Sequence, residues 1–249
     1  MARHNPDLDP SGHGDWPACC GKPDAQWPLP QPLTDTVLVC AALDTAQFSL
    51  ADFGRCGIEL PARLAGAVRK RQGEFLAGRL CARAALQQLG CLALPSSHGE
   101  HGPRWPAGFC GSISHGKGMV GAICGRSDHW QSLGLDIEAA MALPQAERLA
   151  AQILTNTERQ RFAQLPLAEL ISLGFSLKEA LYKALNPLTG RFFYFHDAEL
   201  LTIEPIGSAR FRLVTGLSAQ WPAGRELDAQ WARQGQYYYS LVAVNFAGP

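Results

Sequence analysis

The chain has 249 residues, 22 Lys and Arg balanced by 22 Asp and Glu, and 47% hydrophobic residues. That length suffices for one large domain or two halves of about 100 to 150 residues, each with a core of its own. Zero formal charge excludes whole-surface attraction to nucleic acid or an anionic membrane, so any anion must be held locally.

The eight cysteines, at 19, 20, 40, 56, 81, 91, 110 and 124, include no C-x-x-C pair and leave the second half empty. A secreted disulfide framework and a zinc site are both disfavoured. The N-terminus has no apolar signal region and no uncharged run reaches membrane-spanning length, so the protein is expected to be cytoplasmic and reduced. Residues 1–34, rich in Pro, Gly, Asp and His, are expected to form a loosely ordered tail.

TVLVCAAL (36–43) opens the folded part as a strand, and 62–88 carry a helical pattern. Within RKRQGEFLAGRLCAR, Phe75, Leu76, Ala82 and Leu86 define an apolar arc that contains Arg79. A guanidinium on that side needs an anionic partner. Arg71, two turns earlier, lies in an adjoining sector: either both arginines grip one phosphate, or Arg71 simply pairs with Glu74.

Residues 95–110 read as a Gly/Pro loop. GSISHGKG (111–118) then approaches a P-loop, but Gly118 stands where Ser or Thr would hold Mg²⁺, and the following MVGAIC (119–124) leans to strand, not helix. Ser112, Ser114 and His115 still offer phosphate-bonding groups at a glycine-flanked corner. SLGLDIE (132–138) is the next strand. Its period of two puts Asp136 and Glu138 on one face, either to share a hard cation such as Mg²⁺ or as an ordinary solvated edge.

A helical stretch follows across 144–186. Leu167, Leu170, Ile171, Gly174, Leu177, Leu181 and Leu185 keep one helical phase, which predicts a long helix opening at Pro166 and stopping before Pro187. Glu179 lies off that stripe and Lys183 beside it. They are either an exposed ion pair or a third carboxylate with an ammonium for a metal-bound pyrophosphate, while Ser176-x-x-Glu179 also fits a capping box. RFFYF (191–195), RFRLV (210–214) and YYYSLVAV (237–244) are expected strands. Helix and strand thus recur in similar order, dividing the chain into the tail, an N-terminal half 35–128 and a C-terminal half 129–249.

In this order, RKRQGEFLAGR (69–79), WPAG (105–108) with GSISH (111–115), GLDIE (134–138), NTERQRF (156–162) and FSLKEALYKAL (175–185) resemble the 4'-phosphopantetheinyl transferases of the surfactin and enterobactin synthetase type. The most specific feature is GLDIE followed about forty residues later by S-x-K-E-A-x-x-K. The resemblance implies an α+β fold of two similar α/β halves related by a pseudo-twofold axis, with coenzyme A in the cleft between them. It implies Mg²⁺-dependent transfer of phosphopantetheine to a serine of apo acyl or peptidyl carrier proteins, releasing adenosine 3',5'-bisphosphate.

By the same resemblance, Asp136, Glu138 and Glu179 hold Mg²⁺, and Lys178 and Lys183 contact the phosphates. Arg71, Arg79, Ser114 and His115 surround the 3'-phosphate end, and Glu158 takes the serine proton, although Thr155-x-x-Glu158 is also a capping box. The family's basic residue before the WP segment is missing from Ser97-His98-Gly99-Glu100, so His98 or Arg104 substitutes or the adenine end is held differently. Monomer is the default state. A P-loop-like nucleotide hydrolase and a non-catalytic coenzyme A binding module are the competing classes.

Overall fold

The computed structural model describes residues 16–99 and 102–246, leaving out the side chains at 97–99, so His98 and Glu100 lie outside the described side chains. In chain order come β1 (Thr36–Ala42), α1 (Ala51–Arg55), α2 (Arg69–Gln88), β2 (Ser96–Gly99), β3 (Gly102–Arg104), β4 (Phe109–Gly116) and β5 (Met119–Arg126). β1, β5 and β4 form an antiparallel sheet in that order. The apolar face of α2 covers it through Leu76, Leu80, Cys81 and Leu86, which pack with Val39, Val120 and Ala122. The helix starts at Arg69 and not at 62, because extended Val68 (ψ 148°) breaks the backbone and leaves only a 3-10 turn at Ala62–Leu64.

GSISHGKG belongs to β4 and to its two-residue hairpin turn into β5, with Gly118 at φ 77° where a side chain would strain the backbone. β5, not a helix, follows the glycines, so the P-loop alternative is overturned. Part of the stretch expected as a loose tail is packed: residues 20 and 24 bridge to Leu43 and Cys40, and Cys19 and Leu29 are buried. This segment covers the outer edge of β1. None of the eight cysteines is joined in a disulfide.

The second half continues with β6 (Trp130–Ala139), α3 (Leu143–Ile153), α4 (Asn156–Arg161), α5 (Leu167–Thr189), β7 (Ala198–Ile203), β8 (Ser208–Leu213), β9 (Glu226–Gln234) and β10 (Tyr237–Asn245). Its antiparallel sheet has the order β6-β10-β9-β8-β7. The helical region 144–186 is therefore three helices, of which α5 buries its leucine stripe on the sheet. α5 runs on through Pro187, two residues from its end, and stops at left-handed Gly190 (φ 63°). Ser176 is interior to it, which excludes a new capping box there. RFFYF is not a strand. Its terminal carbonyls are taken by side chains, Asn186 Nδ2 to Arg191 O at 3.1 Å and Lys178 Nζ to Phe195 O at 2.8 Å.

The halves meet where edge strand β4 lies beside edge strand β6. Serine hydroxyls do the bridging: Ser112 Oγ donates to Leu135 O at 3.4 Å, and Ile137 N donates to Ser114 Oγ at 3.0 Å. Beneath this junction Leu133, Leu135 and Ile137 pack with Leu38, Ile123, Cys110, Tyr239 and Leu241 in a core shared by both sheets.

Candidate active site

Alternation along β6 sends Leu133, Leu135 and Ile137 into the shared core and Gly134, Asp136 and Glu138 toward α5. A Cβ at Gly134 would stand 2.0 Å from Ala180 O and 2.5 Å from Ala184 N, so helix and strand touch backbone to backbone there. This close approach brings Glu179 and Lys183 beside Asp136. It also corrects the expectation of a wet strand face, since Asp136 is only 2% exposed.

Asp136 Oδ1 accepts from Lys183 Nζ at 2.7 Å and from Ser114 Oγ at 3.0 Å, and Lys183 Nζ also donates to Ser114 Oγ at 3.0 Å. Its other oxygen, Oδ2, is buried without a hydrogen-bond partner. Burial, and then the Asp136 charge, push the Glu138 carboxyl up to about 8, with Glu179 adding and Lys183 opposing. Burial likewise raises Glu179, Lys183 opposing and Asp136 adding. The three acids thus feel one another across the α5–β6 seam, carrying more negative charge than one ammonium offsets.

Among the described residues no three His, Cys, Asp or Glu groups stand close enough to form a ready-made metal cage. The donor set nevertheless fits a hard divalent cation: all-oxygen ligands, mutual repulsion, and a carboxylate oxygen with no other partner. Lys183, about one-quarter exposed, covers Asp136 from the open side.

On the opposite face of β4, Ile113 and His115 point to α2. Arg71 Nη1 donates to His115 Nε2 at 2.7 Å, while Glu74 lies 3.6 Å from both Arg71 Nη1 and His115 Nδ1. Arg71 therefore both pairs with Glu74, as an ordinary reading predicts, and joins His115. Burial lowers the His115 pKa, against the Glu74 charge, and His115 also feels Lys183 and Asp136. Ser114 is a correction: strand alternation turns it away from His115, and its buried hydroxyl serves Asp136 and the β6 backbone, not the 3'-phosphate end.

Arg79 is 6% exposed, stacked 4.7 Å above the Phe75 ring, with only a long 3.5 Å bond from Nη2 to Ser96 O and a buried Nε without partner. Burial, then nearby Arg63, lower its pKa to about 10. Among the described residues no carboxylate pairs with it, so it remains an anion-seeking group, but at a different place from Arg71. Among the described residues the two arginines share no partner.

Glu158 and Lys178 are the larger correction. Glu158 is fully buried: Oε2 accepts from Thr155 N (2.8 Å) and Oγ1 (2.9 Å), and Oε1 from Leu200 N (2.8 Å) and Lys178 Nζ (2.7 Å). A carboxylate committed to four donors and sealed from water does not receive a substrate proton. Lys178 is equally buried, so its ammonium is held by Glu158 and Phe195 O rather than presented to phosphates. Burial lowers its pKa and the Glu158 charge opposes that.

A cavity of about 320 Å³ opens beside Glu179, walled by Tyr182, Phe192, Phe193, Tyr194 and Phe195 with Lys178 at its base. Rings interlock along the wall, Tyr182 lying 5.2 Å from Phe193 and 5.5 Å from Phe192. The sequence hides this wall because RFFYF fits a strand pattern. The available signal was Tyr182, three residues after Glu179 and hence on the same side of α5. A larger cleft of about 800 Å³ lies on the sheet face away from α5, lined among others by Trp130, Arg210 and Gln230, and shares no residue with the acidic cluster.

Comparison with known proteins matches residues 60–125 to the 4'-phosphopantetheinyl transferase N-terminal domain and residues 132–241 to the 4'-phosphopantetheinyl transferase superfamily. The 4'-phosphopantetheinyl transferase Svp of Streptomyces mobaraensis is 37% identical over 194 residues, 75% of this chain and 77% of its own. The chain belongs to the 4'-phosphopantetheinyl transferase superfamily. Enterobactin synthase component D of Salmonella typhi is 34% identical over 187 residues, 73% of this chain and 76% of its own. The 4'-phosphopantetheinyl transferase PptT of Mycobacterium tuberculosis is 40% identical over 140 residues, 55% and 61% of the two chains.

The superfamily match spans both β6 and α5, the two elements that form the acidic seam. Among the described residues no helix of this transferase is long and apolar enough to cross a membrane.

Proposed function

We propose that the protein transfers the 4'-phosphopantetheine group of coenzyme A to a serine of apo acyl or peptidyl carrier proteins, releasing adenosine 3',5'-bisphosphate. One observation carries the reading: Asp136, Glu138, Glu179 and Lys183 gather at the α5–β6 seam, with His115, itself bonded to Arg71, within electrostatic reach on one side and the aromatic cavity at Glu179 on the other. That sequence of basic, diphosphate-binding and apolar surfaces matches the order of groups in coenzyme A: phosphorylated nucleoside, diphosphate, pantetheine. Arg79 supplies a further anion-binding group toward the nucleotide end.

Asp136, Glu138 and Glu179 would hold a divalent cation such as Mg²⁺, which when bound neutralises diphosphate charge and steadies the leaving phosphate. Lys183 places its ammonium against the same diphosphate, and Ser114 fixes Asp136 for it. The aromatic wall seats the pantetheine arm and excludes water from one side of the seam. The carrier serine oxygen attacks the β-phosphorus, its proton passing to solvent, as the bond to the leaving 3',5'-bisphosphate breaks in line. Positioning and charge supply most of the rate.

The carrier is expected to approach over the exposed rings Phe192 and Tyr194 or the 142–166 region, where Leu143 is also exposed. Service to siderophore, nonribosomal-peptide, polyketide or fatty-acid synthesis, action as a monomer, a cytoplasmic location, and no nucleic-acid or membrane partner complete the reading.

Intact-mass spectrometry tests it. Apo-carrier incubated with the enzyme, coenzyme A and Mg²⁺ should gain one phosphopantetheine, and Asp136→Asn should slow this by at least about a hundredfold. A carrier whose mass stays constant while coenzyme A binds would point to a non-catalytic coenzyme A module instead.

A further inference from the structure

We propose that Glu158 and Lys178 form a buried clasp that positions the aromatic wall of the cavity beside Glu179, so that Glu158 governs the seating of the pantetheine arm and not the serine proton. The inference rests on the transferase reading above. It starts from a continuous chain of bonds. Thr155 and Leu200 N hold the Glu158 carboxylate, that carboxylate holds Lys178 Nζ at 2.7 Å, and Lys178 Nζ holds Phe195 O at 2.8 Å.

The wall needs such a clasp because it has no ladder of its own. Residues 191–194 pair with no strand, and between the bonded carbonyls of Arg191 and Phe195 the chain turns one ring inward and two outward. Phe193 is 7% exposed, whereas Phe192 and Tyr194 are 68% and 71% exposed. Two buried donors from α5, Asn186 at the start and Lys178 at the end, fix this geometry. Phe195 also packs against Phe175 of α5, with centroids 5.6 Å apart.

Lys178 can direct its ammonium at a carbonyl in the interior only while a carboxylate compensates its charge. Glu158 is that carboxylate, and it is delivered by the capping box of α4, whose Thr155 side chain and backbone set its rotamer. The NTERQRF motif thereby reaches the substrate cavity through Lys178, without touching the reacting atoms. Glu158 and Lys178 are positioning residues.

Steady-state transfer with Glu158→Gln, Lys178→Met and the double variant decides the matter. Each single variant should raise the KM for coenzyme A by about tenfold with kcat within about threefold, and the pH dependence of kcat should keep its limbs. The double variant should be no worse than the weaker single one, since either substitution opens the same clasp and the double one leaves no lone buried charge. Amide hydrogen exchange over 191–196 should accelerate in all three without any substrate present.

A loss of about a hundredfold or more in kcat for Glu158→Gln together with a missing pH limb would make Glu158 the base and overturn the clasp. So would an unchanged KM, or single effects that multiply in the double variant. Should the native enzyme modify no carrier at all, the transferase reading fails, and exchange over 191–196 still judges the clasp: unaltered rates in the folded double variant would refute it.

Discussion

At the scale of single residues the site is defined by three grouped carboxyls beside a single ammonium. Glu138 is the clearest reporter, its carboxyl raised to about 8 by burial first and Asp136 second. A carboxyl with a raised folded pKa binds more protons folded than unfolded, so stability falls as pH climbs from its ordinary value toward about 8. Thermal melts in a chelator should therefore show a falling Tm between pH 5 and 8, as an expected direction. Millimolar Mg²⁺ should restore Tm most at the alkaline end, where the carboxylates are charged. A Tm that Mg²⁺ leaves untouched at pH 8 would remove Glu138 from the cation site.

Glu158 makes a different residue-scale point. Its spacing from Thr155 fits a capping box and its motif fits a catalytic role, and the chain alone leaves both standing. Burial decides between them: the carboxylate has four donors and no exposed surface. Local spacing reports which bonds a side chain can make with its neighbours in sequence, but not that Lys178 and Leu200 arrive from 20 and 42 residues away to complete its shell.

At the scale of elements, the seam depends on α5 lying directly on β6. Gly134 permits that contact, since any Cβ would meet the Ala180 carbonyl at 2.0 Å. The obstacle is backbone, which cannot rotate aside as a side chain would. Gly134→Ala should cost about 2 to 3 kcal/mol in urea unfolding and move Glu179 and Lys183 away from Asp136, slowing transfer even in molecules that fold. A variant that matched the native protein in both stability and rate would show that the helix–strand spacing is not what assembles the cluster.

The elements themselves were unevenly legible. β5, β6, β8 and β10 follow from apolar alternation, and the long leucine phase of α5 survives intact. The same reasoning fails at RFFYF, because aromatic residues satisfy a strand pattern equally well when they line a cavity wall. It fails again at Pro187, which lies in the last turn of α5 before left-handed Gly190 ends the helix.

At the scale of the whole molecule the two sheets are joined through hydroxyls and a shared core instead of a continuous ladder. Leu133, Leu135 and Ile137, all fully buried, are covered from the other half by Leu38 and Ile123. Baring each such side chain costs about 1.5 to 3 kcal/mol, several of them approaching the whole stability of an ordinary domain. The C-terminal half expressed from residue 129 onward should therefore be unfolded or aggregated by circular dichroism and gel filtration. The intact chain should melt in one transition. Two separated transitions, or a folded isolated half, would contradict a shared core.

By itself the chain determined the side-chain chemistry and its local phase: Asp136 and Glu138 on one strand face, Glu179 and Lys183 one helical turn apart, and an α+β family whose motifs are contiguous. Those properties repeat every two or 3.6 residues and need no distant partner. Only the tertiary structure decided which element covers that strand face, that Lys183 joins Asp136 while Lys178 is buried against Glu158, and that Ser114 serves Asp136 while His115 serves Arg71. Each of these depends on contacts between residues far apart in sequence, and it is burial, set by those contacts, that gives a charged group its partner.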